Sequence, residues 1–252
     1  MNSLKTAKRE EKIIGFLESR GAMSVEELSA LLDVSVSTLR KQLAVMQANG
    51  LLIRTYGGVM PVNRVPDETF ESKLHKSIAE KRRIAECART LIPPGATVAL
   101  GSGTSVYGLA NLLDDLPRGT VYTNSMQAAD LLARSAGLEV HISSGILRSR
   151  TGTIIGSEAA EYFRSLKPLD YAFIGCDAID SSGAVLSDNL SVAAVEKLIL
   201  NCAKRKYILC DSTKLGQSAV ARVTDLADCD GLITVHSPAA ETYASMTRLL
   251  YA

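Results

Sequence analysis

From about Ser77 onward, short apolar runs alternate with stretches of helical period. The runs are Thr97–Leu100, Val121–Tyr122, Val140–Ser143, Tyr171–Ile174, Tyr207–Cys210 and Leu232–Val235. An apolar run too short for a helix and bounded by turn residues reads as a strand buried on both faces. Strands that recur with a helical stretch between them are joined by crossovers and lie parallel. The chain is therefore expected to form an α/β domain, residues 77–252, with a mostly parallel sheet covered by helices. Gly145 to Gly156, with Thr151-Gly152 inside, reads as a hairpin inserted in that series. There is no internal repeat and no low-complexity tract.

A smaller α+β module, residues 1–60, precedes this domain, with a linker at 61–76 where Pro61, Asn63 and Pro66 break regular structure. Within residues 4–19, Ile13, Ile14, Phe16 and Leu17 suit an amphipathic helix, and Arg20-Gly21 stops it. Ser24-Val-Glu-Glu27 is a capping box that opens a second helix through Leu28, Leu31 and Leu32. After a turn at Asp33-Val34, Ser35 caps a third helix with Leu39, Leu43 and Met46 on one face, ending at Asn49-Gly50. Residues 51–56 read as a strand that Gly57-Gly58 turns back.

The charge balance of 28 basic against 27 acidic residues carries no nucleic-acid signal, so any such signal must be local. The five cysteines, Cys87, Cys176, Cys202, Cys210 and Cys229, form no C-x-x-C pair. They are expected to be reduced, with no structural disulfide, no zinc and no cofactor. The charged N-terminus lacks the apolar stretch of a signal peptide, and no window approaches the roughly 18 apolar residues of a membrane span. A cytoplasmic location with no membrane partner is the expectation.

Two capped helices joined by a tight turn and followed by a β-wing make a unit that reads duplex DNA. Residues near the start of the second of them reach base edges in the major groove. Here those are Ser35, Ser37, Thr38, Arg40 and Lys41, with Ser24, Arg54, Tyr56 and Gly57 as further contacts. Arg40 can clamp a guanine edge or a phosphate, and the hydroxyls suit phosphate oxygens. Between Val34 and Pro66 there is no acidic residue, while Arg40, Lys41, Arg54 and Arg64 are basic. So few charges bind weakly in physiological salt, so a homo-dimer or homo-tetramer on repeated half-sites is expected.

In the larger domain, polar loops follow the strands: Gly101-Ser-Gly-Thr-Ser105, Thr123-Asn-Ser125, Ser143-Ser-Gly145, Gly175-Cys-Asp177 and Asp211-Ser-Thr-Lys214. Each alone is ordinary turn chemistry. Loops at the carboxyl ends of parallel strands gather at one edge, however, and a glycine-rich turn into a helix start seats an anion. The candidate effector-binding residues are Gly101, Ser102, Gly103, Thr104, Ser105, Thr123, Asn124, Ser125, Gly145, Asp177 and Lys214. Their chemistry suits a hydroxylated, anionic small molecule.

Ser24-Val-Glu-Glu-Leu-Ser, Val34-Ser-Val-Ser-Thr-Leu-Arg-Lys-Gln-Leu43 and Gly50-Leu-Leu-Ile-Arg-Thr-Tyr-Gly-Gly58 closely resemble the DeoR family of bacterial regulators, and the resemblance continues almost to the C-terminus. It implies a winged helix-turn-helix ahead of a sensor domain similar in fold to ribose-5-phosphate isomerase. It also implies repression of a carbohydrate-utilisation operon, relieved by a phosphorylated sugar or related metabolite. Ser102, Gly103, Thr104 and Ser105 would hold phosphate, Thr123, Asn124 and Asp177 hydroxyls, and Lys214 would add charge. Three positions depart from the family pattern. Lys41-Gln42 replaces Arg-Asp, leaving the third helix slightly more positive. Gly101 replaces a common aspartate, and Ser143-Ser-Gly145 replaces a glycine pair.

Two alternatives compete. One is a sugar-phosphate isomerase carrying a DNA-binding module. Residues 173–196 resemble that enzyme's active-site stretch, with Asp177, Asp180 and Glu196 on acidic positions. Its lysine falls at Ser187, and no other lysine lies between Lys167 and Lys197, so a pocket without catalysis is expected. The other alternative is a purely oligomerising α/β domain, disfavoured because it leaves a polar-lined pocket without a ligand.

Overall fold

The computed structural model describes residues 9–10, 12–17, 23–48, 52–55, 58–61, 69–114 and 116–252, with backbone alone for 48, 53–55 and 60–61. The chain divides into two compact units, Met1–Pro66 and Asp67–Ala252.

In the first unit, residues 9–10 and 12–17 are helical (α1), followed by α2 (Val25–Leu32) and α3 (Val36–Ala48). The expected capping box is formed: the Ser24 hydroxyl accepts the Glu27 N–H at 3.1 Å, and Glu27 Oε2 accepts the Ser24 N–H at 2.8 Å. Asp33 closes α2 in the left-handed region (φ 50°), a conformation that Asp tolerates better than most residues. That single residue turns the chain from α2 into α3. Ile13, Leu17, Leu28, Leu39, Leu43 and Met46 are all buried in one core, so the stripe read from helical period is the packed face. Strands β2 (Leu52–Thr55) and β3 (Gly58–Pro61) form the wing. A two-residue strand β1 (Met23–Ser24), too short to leave a periodic signal, pairs with β3. At Gly58 a Cβ would meet the Met23 carbonyl oxygen at 2.5 Å, so this close pairing requires glycine. Arg20-Gly21, Asn49-Gly50, Tyr56, Gly57, Asn63, Arg64 and Pro66 lie outside the described residues.

The second unit is built on a seven-stranded sheet in which every pairing is parallel. Its strands are β4 (Thr97–Leu100), β5 (Gly119–Thr123), β6 (Leu138–Ile142), β9 (Leu169–Ile174), β12 (Ala203–Leu209), β14 (Gly231–Thr234) and β15 (Leu249–Tyr251). All six expected runs fall on these strands. The alternation along β9 shows why the sheet is covered twice. Tyr171 and Phe173 pack on the face carrying α5 (Ile78–Thr90), α6 (Thr104–Asn111) and α7 (Met126–Leu132). Ala172 and Ile174 pack on the face carrying α8 (Ser157–Ser165) and α9 (Leu190–Asn201).

The strand order is β15-β14-β12-β9-β4-β5-β6. From β4 the chain first winds outward through β5 and β6, then returns to the other side of β4 and winds through β9, β12, β14 and β15. The crevice beyond the carboxyl ends of β4 and β9 is therefore a topological switch point, where open α/β sheets bind ligands.

Two features differ from the sequence expectation, and a third, the hairpin, follows it. The stretch read as a linker ends in a helix, α4 (Phe70–Leu74), capped by Thr69. Five residues are too few to persist through propensity alone, and α4 is held by tertiary bonds described below. A small antiparallel sheet joins β10 (Ala178–Ile179), β11 (Ala184–Ser187) and β13 (Ala221–Asp225). The inserted hairpin is present as β7 (Ile146–Arg148) and β8 (Thr153–Ile155), but as a separate two-stranded ribbon. Among the described residues, no helix is long and apolar enough to cross a membrane.

Candidate functional site

At the switch point lies a cleft enclosing about 680 Å³ including its open mouth. Its first wall is the turn from β4 into α6. Gly103 caps α6 with φ 101°, and nothing stands within 4 Å of where a Cβ would be. The positive φ explains the glycine, and the open space leaves the helix start accessible. Ser102, Gly103, Thr104 and Ser105 all line the cleft. The Ser105 hydroxyl is buried without a hydrogen-bond partner, as is that of Thr151 on the hairpin, and leaving such groups unpaired is costly. With the free N–H groups of the first turn, the Ser105 hydroxyl makes a donor set for an anion.

The second wall is the end of β9. Asp177 carries the densest polar network in the cleft. Its Oδ2 accepts the Ser187 hydroxyl at 3.1 Å and the Asp188 N–H at 2.9 Å. Its Oδ1 accepts Lys73 Nζ at 2.6 Å. Burial is the strongest single influence on this carboxyl and opposes its charge. Lys73, the Asp188 N–H and Lys214 together outweigh it and hold Asp177 below the usual carboxylate range. Glu196, on α9, goes the other way. It is 4% exposed, receives only a 3.4 Å hydrogen bond from Ser102, and faces the Asp177 charge. Burial first, and that charge second, push its pKa well above the usual carboxylate value and favour the protonated form. The two carboxyls of the cleft are thus shifted in opposite directions.

The loop after β12 supplies Lys214, whose Nζ donates to the Cys176 carbonyl at 2.6 Å and lies 3.8 Å from Asp211. Lys81 is also buried beside this group and donates to the Lys73 carbonyl at 2.5 Å. Burial, then the neighbouring Lys214 charge, lowers its pKa to about 8. The hairpin contributes Arg148, Thr151 and Thr153 to the remaining wall.

Six of the candidate effector residues thus meet in one cleft: Ser102, Gly103, Thr104, Ser105, Asp177 and Lys214. Five do not line it. Gly101 donates its N–H to Phe173 and packs against Ile174, where a Cβ would meet Cγ2 at 3.0 Å. Gly145 (φ 134°) forms the hairpin base, with the Ile155 carbonyl 2.5 Å from a Cβ position. Asn124 and Ser125 brace the hairpin instead of lining the cleft, and the Thr123 hydroxyl braces their loop by accepting the Ser125 N–H. Asn124 Nδ2 donates to the Ile154 carbonyl at 3.1 Å, and Ile154 N–H returns a bond to the Asn124 carbonyl. Ser125 caps α7 through the Ala128 N–H. These three position the wall that carries Arg148.

Sequence reasoning missed Lys73, Phe70, Arg148, Thr151, Thr153, Asp188 and Asn189 as lining residues. The basic segment Arg148-Ser-Arg150 beside Thr151-Gly152 was the one signal available for the hairpin. Lys73 had none, lying in what reads as linker. It supplies a cation at Asp177 that a search limited to residues 167–197 could not find.

On the first unit, Ser37, Thr38, Arg40 and Lys41 are exposed along the start of α3. Ser24 and Ser35 are exposed or half-exposed, but their hydroxyls are engaged in caps with Glu27 and Thr38. Arg40 lies 3.5 Å from Glu26 of α2, so the acid-free stretch in sequence is not acid-free in space. Arg54 belongs to β2 with its side chain outside the description, and Tyr56 and Gly57 lie outside the described residues. Gln42 corrects one expectation. It is buried and accepts Arg9 Nη1 at 3.1 Å, so its replacement of an acid alters α1–α3 packing, not the charge offered outward.

Residues 9–65 match the DeoR-like helix-turn-helix domain, and residues 76–236 match the DeoR C terminal sensor domain. The HTH-type transcriptional repressor CsqR of Escherichia coli K12 is 31% identical, covering 92% of this chain and 88% of the relative. The glycerol-3-phosphate regulon repressor of Haemophilus influenzae is 31% identical, covering 93% and 91%. Among solved structures, ribose 5 phosphate isomerase A from Neisseria gonorrhoeae is similar at 16% identity and a TM-score of 0.40, covering 53% of this chain and 52% of that one.

Proposed function

Since the chain belongs to the DeoR family of DNA-binding transcription regulators, we propose that it represses a carbohydrate-utilisation operon under the control of a phosphorylated sugar or related metabolite. The observation that carries the effector reading is the switch-point cleft. An unpartnered buried Ser105 hydroxyl and an open helix start suit an anion, while Asp177, held low in pKa, and Glu196, pushed high, suit hydroxyls. Arg148, Lys73 and Lys214 bring three cations to a lining that also holds Asp177, Asp188 and Glu196. Ser37, Thr38, Arg40 and Lys41 read the operator from the start of α3, with Arg54, Tyr56 and Gly57 of the wing as flanking contacts and Ser24 and Ser35 as caps that fix the helices. A homo-dimer or homo-tetramer in the cytoplasm places two such helices on repeated half-sites. The effector changes operator affinity only through unequal affinity for two states, a coupling of about 1–3 kcal/mol.

The family is regulatory rather than enzymatic, and Asp177 and Glu196 are assigned binding roles. A gel shift with DNA flanking the gene, repeated with a panel of sugar phosphates, tests the proposal. A retarded complex released by one compound is the expected result. DNA binding indifferent to every compound would remove the effector role, and no binding at low salt would remove the operator role.

A further inference from the structure

We propose that Lys73 is a latch: its ion pair with Asp177 holds α4 against the effector cleft, and an anionic effector opens it by drawing the ammonium onto itself. This rests on the regulator reading above and names the element that carries its signal. Asp177 is fixed from below by Ser187 and the Asp188 N–H, both on the segment that follows β11 or closes it. Lys73 reaches it from the opposite side, across 104 positions of sequence. The two side chains are 28% and 22% exposed, so the pair borders the cleft where an incoming solute meets it.

Other ties run from α4 to elements that flank the cleft. The Phe70 N–H donates to the Arg150 carbonyl on the hairpin, and the Phe70 ring meets Tyr107 of α6 edge-on at 5.4 Å. The Lys73 carbonyl accepts buried Lys81. A five-residue helix has no stability of its own, so its position is set by these few bonds. Lys73, Lys81 and Lys214 crowd three positive charges around Asp177 and Asp211, and a phosphate entering the cleft offers the lysines a further anion. Once Lys73 turns toward that anion, α4 loses its tie to β9. Only residues 62–68 separate Pro61, the last residue of the wing strand β3, from Thr69, the cap of α4. A shift of α4 is therefore a shift close in sequence to the first unit.

The test uses the full chain and hydrogen exchange, which needs no knowledge of the effector. In Lys73→Met and Asp177→Asn, amides of residues 69–76 should exchange at least about tenfold faster than in the wild-type protein, with those of α6 unchanged. Lys73→Arg should stay near the wild-type rate. In the same variants, affinity for flanking DNA without any added solute should move at least about fivefold from the wild-type value, in the same direction for both. Unaltered exchange at 69–76 would overturn the latch. Altered exchange with unaltered DNA affinity would overturn its coupling role. Should Lys73→Met fail to melt cooperatively, Lys73→Gln replaces it under the same criteria. A wild-type protein that binds no DNA defeats the regulator reading instead, and the exchange result still decides whether the latch exists.

Discussion

Glu80 accepts both the backbone N–H and the hydroxyl of Ser212, at 2.8 and 2.9 Å, across 132 positions of sequence. The bond pair ties the first turn of α5 to the loop after β12, where Asp211 and Lys214 sit. The first turn of α5 is thereby fastened both to the Lys214 loop, through Glu80, and to α4, through Lys81.

Glu80→Ala removes two hydrogen bonds to a carboxylate, each worth about 1.5–3 kcal/mol before relaxation. The expected loss in unfolding free energy is about 2 kcal/mol, read from the midpoint of urea denaturation at unchanged slope. Effector affinity should fall with it, because the Lys214 loop loses its brace. A variant as stable as the wild type would show that water replaces the bonds at no net cost.

Glu196→Gln should be tolerated, since burial and the Asp177 charge disfavour the ionised carboxylate. The sign of its pH dependence follows from linkage. The folded-state pKa lies well above the ordinary 4.5, so above that value the unfolded chain releases a proton that the folded chain retains. Wild-type stability therefore falls, relative to Glu196→Gln, as pH rises from about 4.5 toward the raised folded pKa. The limiting slope is about 1.4 kcal/mol per pH unit. Parallel stability–pH curves for the two proteins would mean that Glu196 is ionised in the fold.

Arg40→Ala should leave thermal stability almost unchanged, because Arg40 and Glu26 are 59% and 62% exposed and such pairs are worth little. Specific operator binding should weaken by about 1–3 kcal/mol if Arg40 contacts a base. An equal loss on all DNA sequences, with a shallower salt dependence, would make it a phosphate contact. Glu26→Gln should strengthen DNA binding by relieving Arg40 of its partner.

Thr104→Asp places a carboxylate at the start of α6, where the helix dipole welcomes it, so the fold should be retained. It should repel a phosphorylated effector and lower its affinity at least tenfold, about 1.4 kcal/mol. Titration of operator release by the active compound reads this directly. Release at the wild-type concentration would remove the α6 start from the site.

Much of the site was legible because its parts are local. The glycine–hydroxyl turn after β4 and the Asp177 and Lys214 loops each follow a strand that periodicity reveals, and the parallel sheet brings such loops to one edge. Thr123, Asn124 and Ser125 follow the same pattern and still miss the cleft. Asn124 and Ser125 spend their chemistry on the β7–β8 hairpin, whose Arg148, Thr151 and Thr153 line the cleft in their place. Pattern alone cannot separate a lining loop from a bracing one, because both need the same turn residues.

The order of strands and helices, the caps at Ser24 and Ser35 and the buried stripe of Leu39, Leu43 and Met46 were fixed by the chain itself, because each depends on residues within a few positions of one another. Which strands are neighbours, and so where the switch point opens, was decided only when β9 returned beside β4. The meetings of Lys73 with Asp177 and of Glu80 with Ser212 belong to that second level. They span more than a hundred residues, and bonds of that reach depend on how buried faces pack together, which no local sequence period encodes.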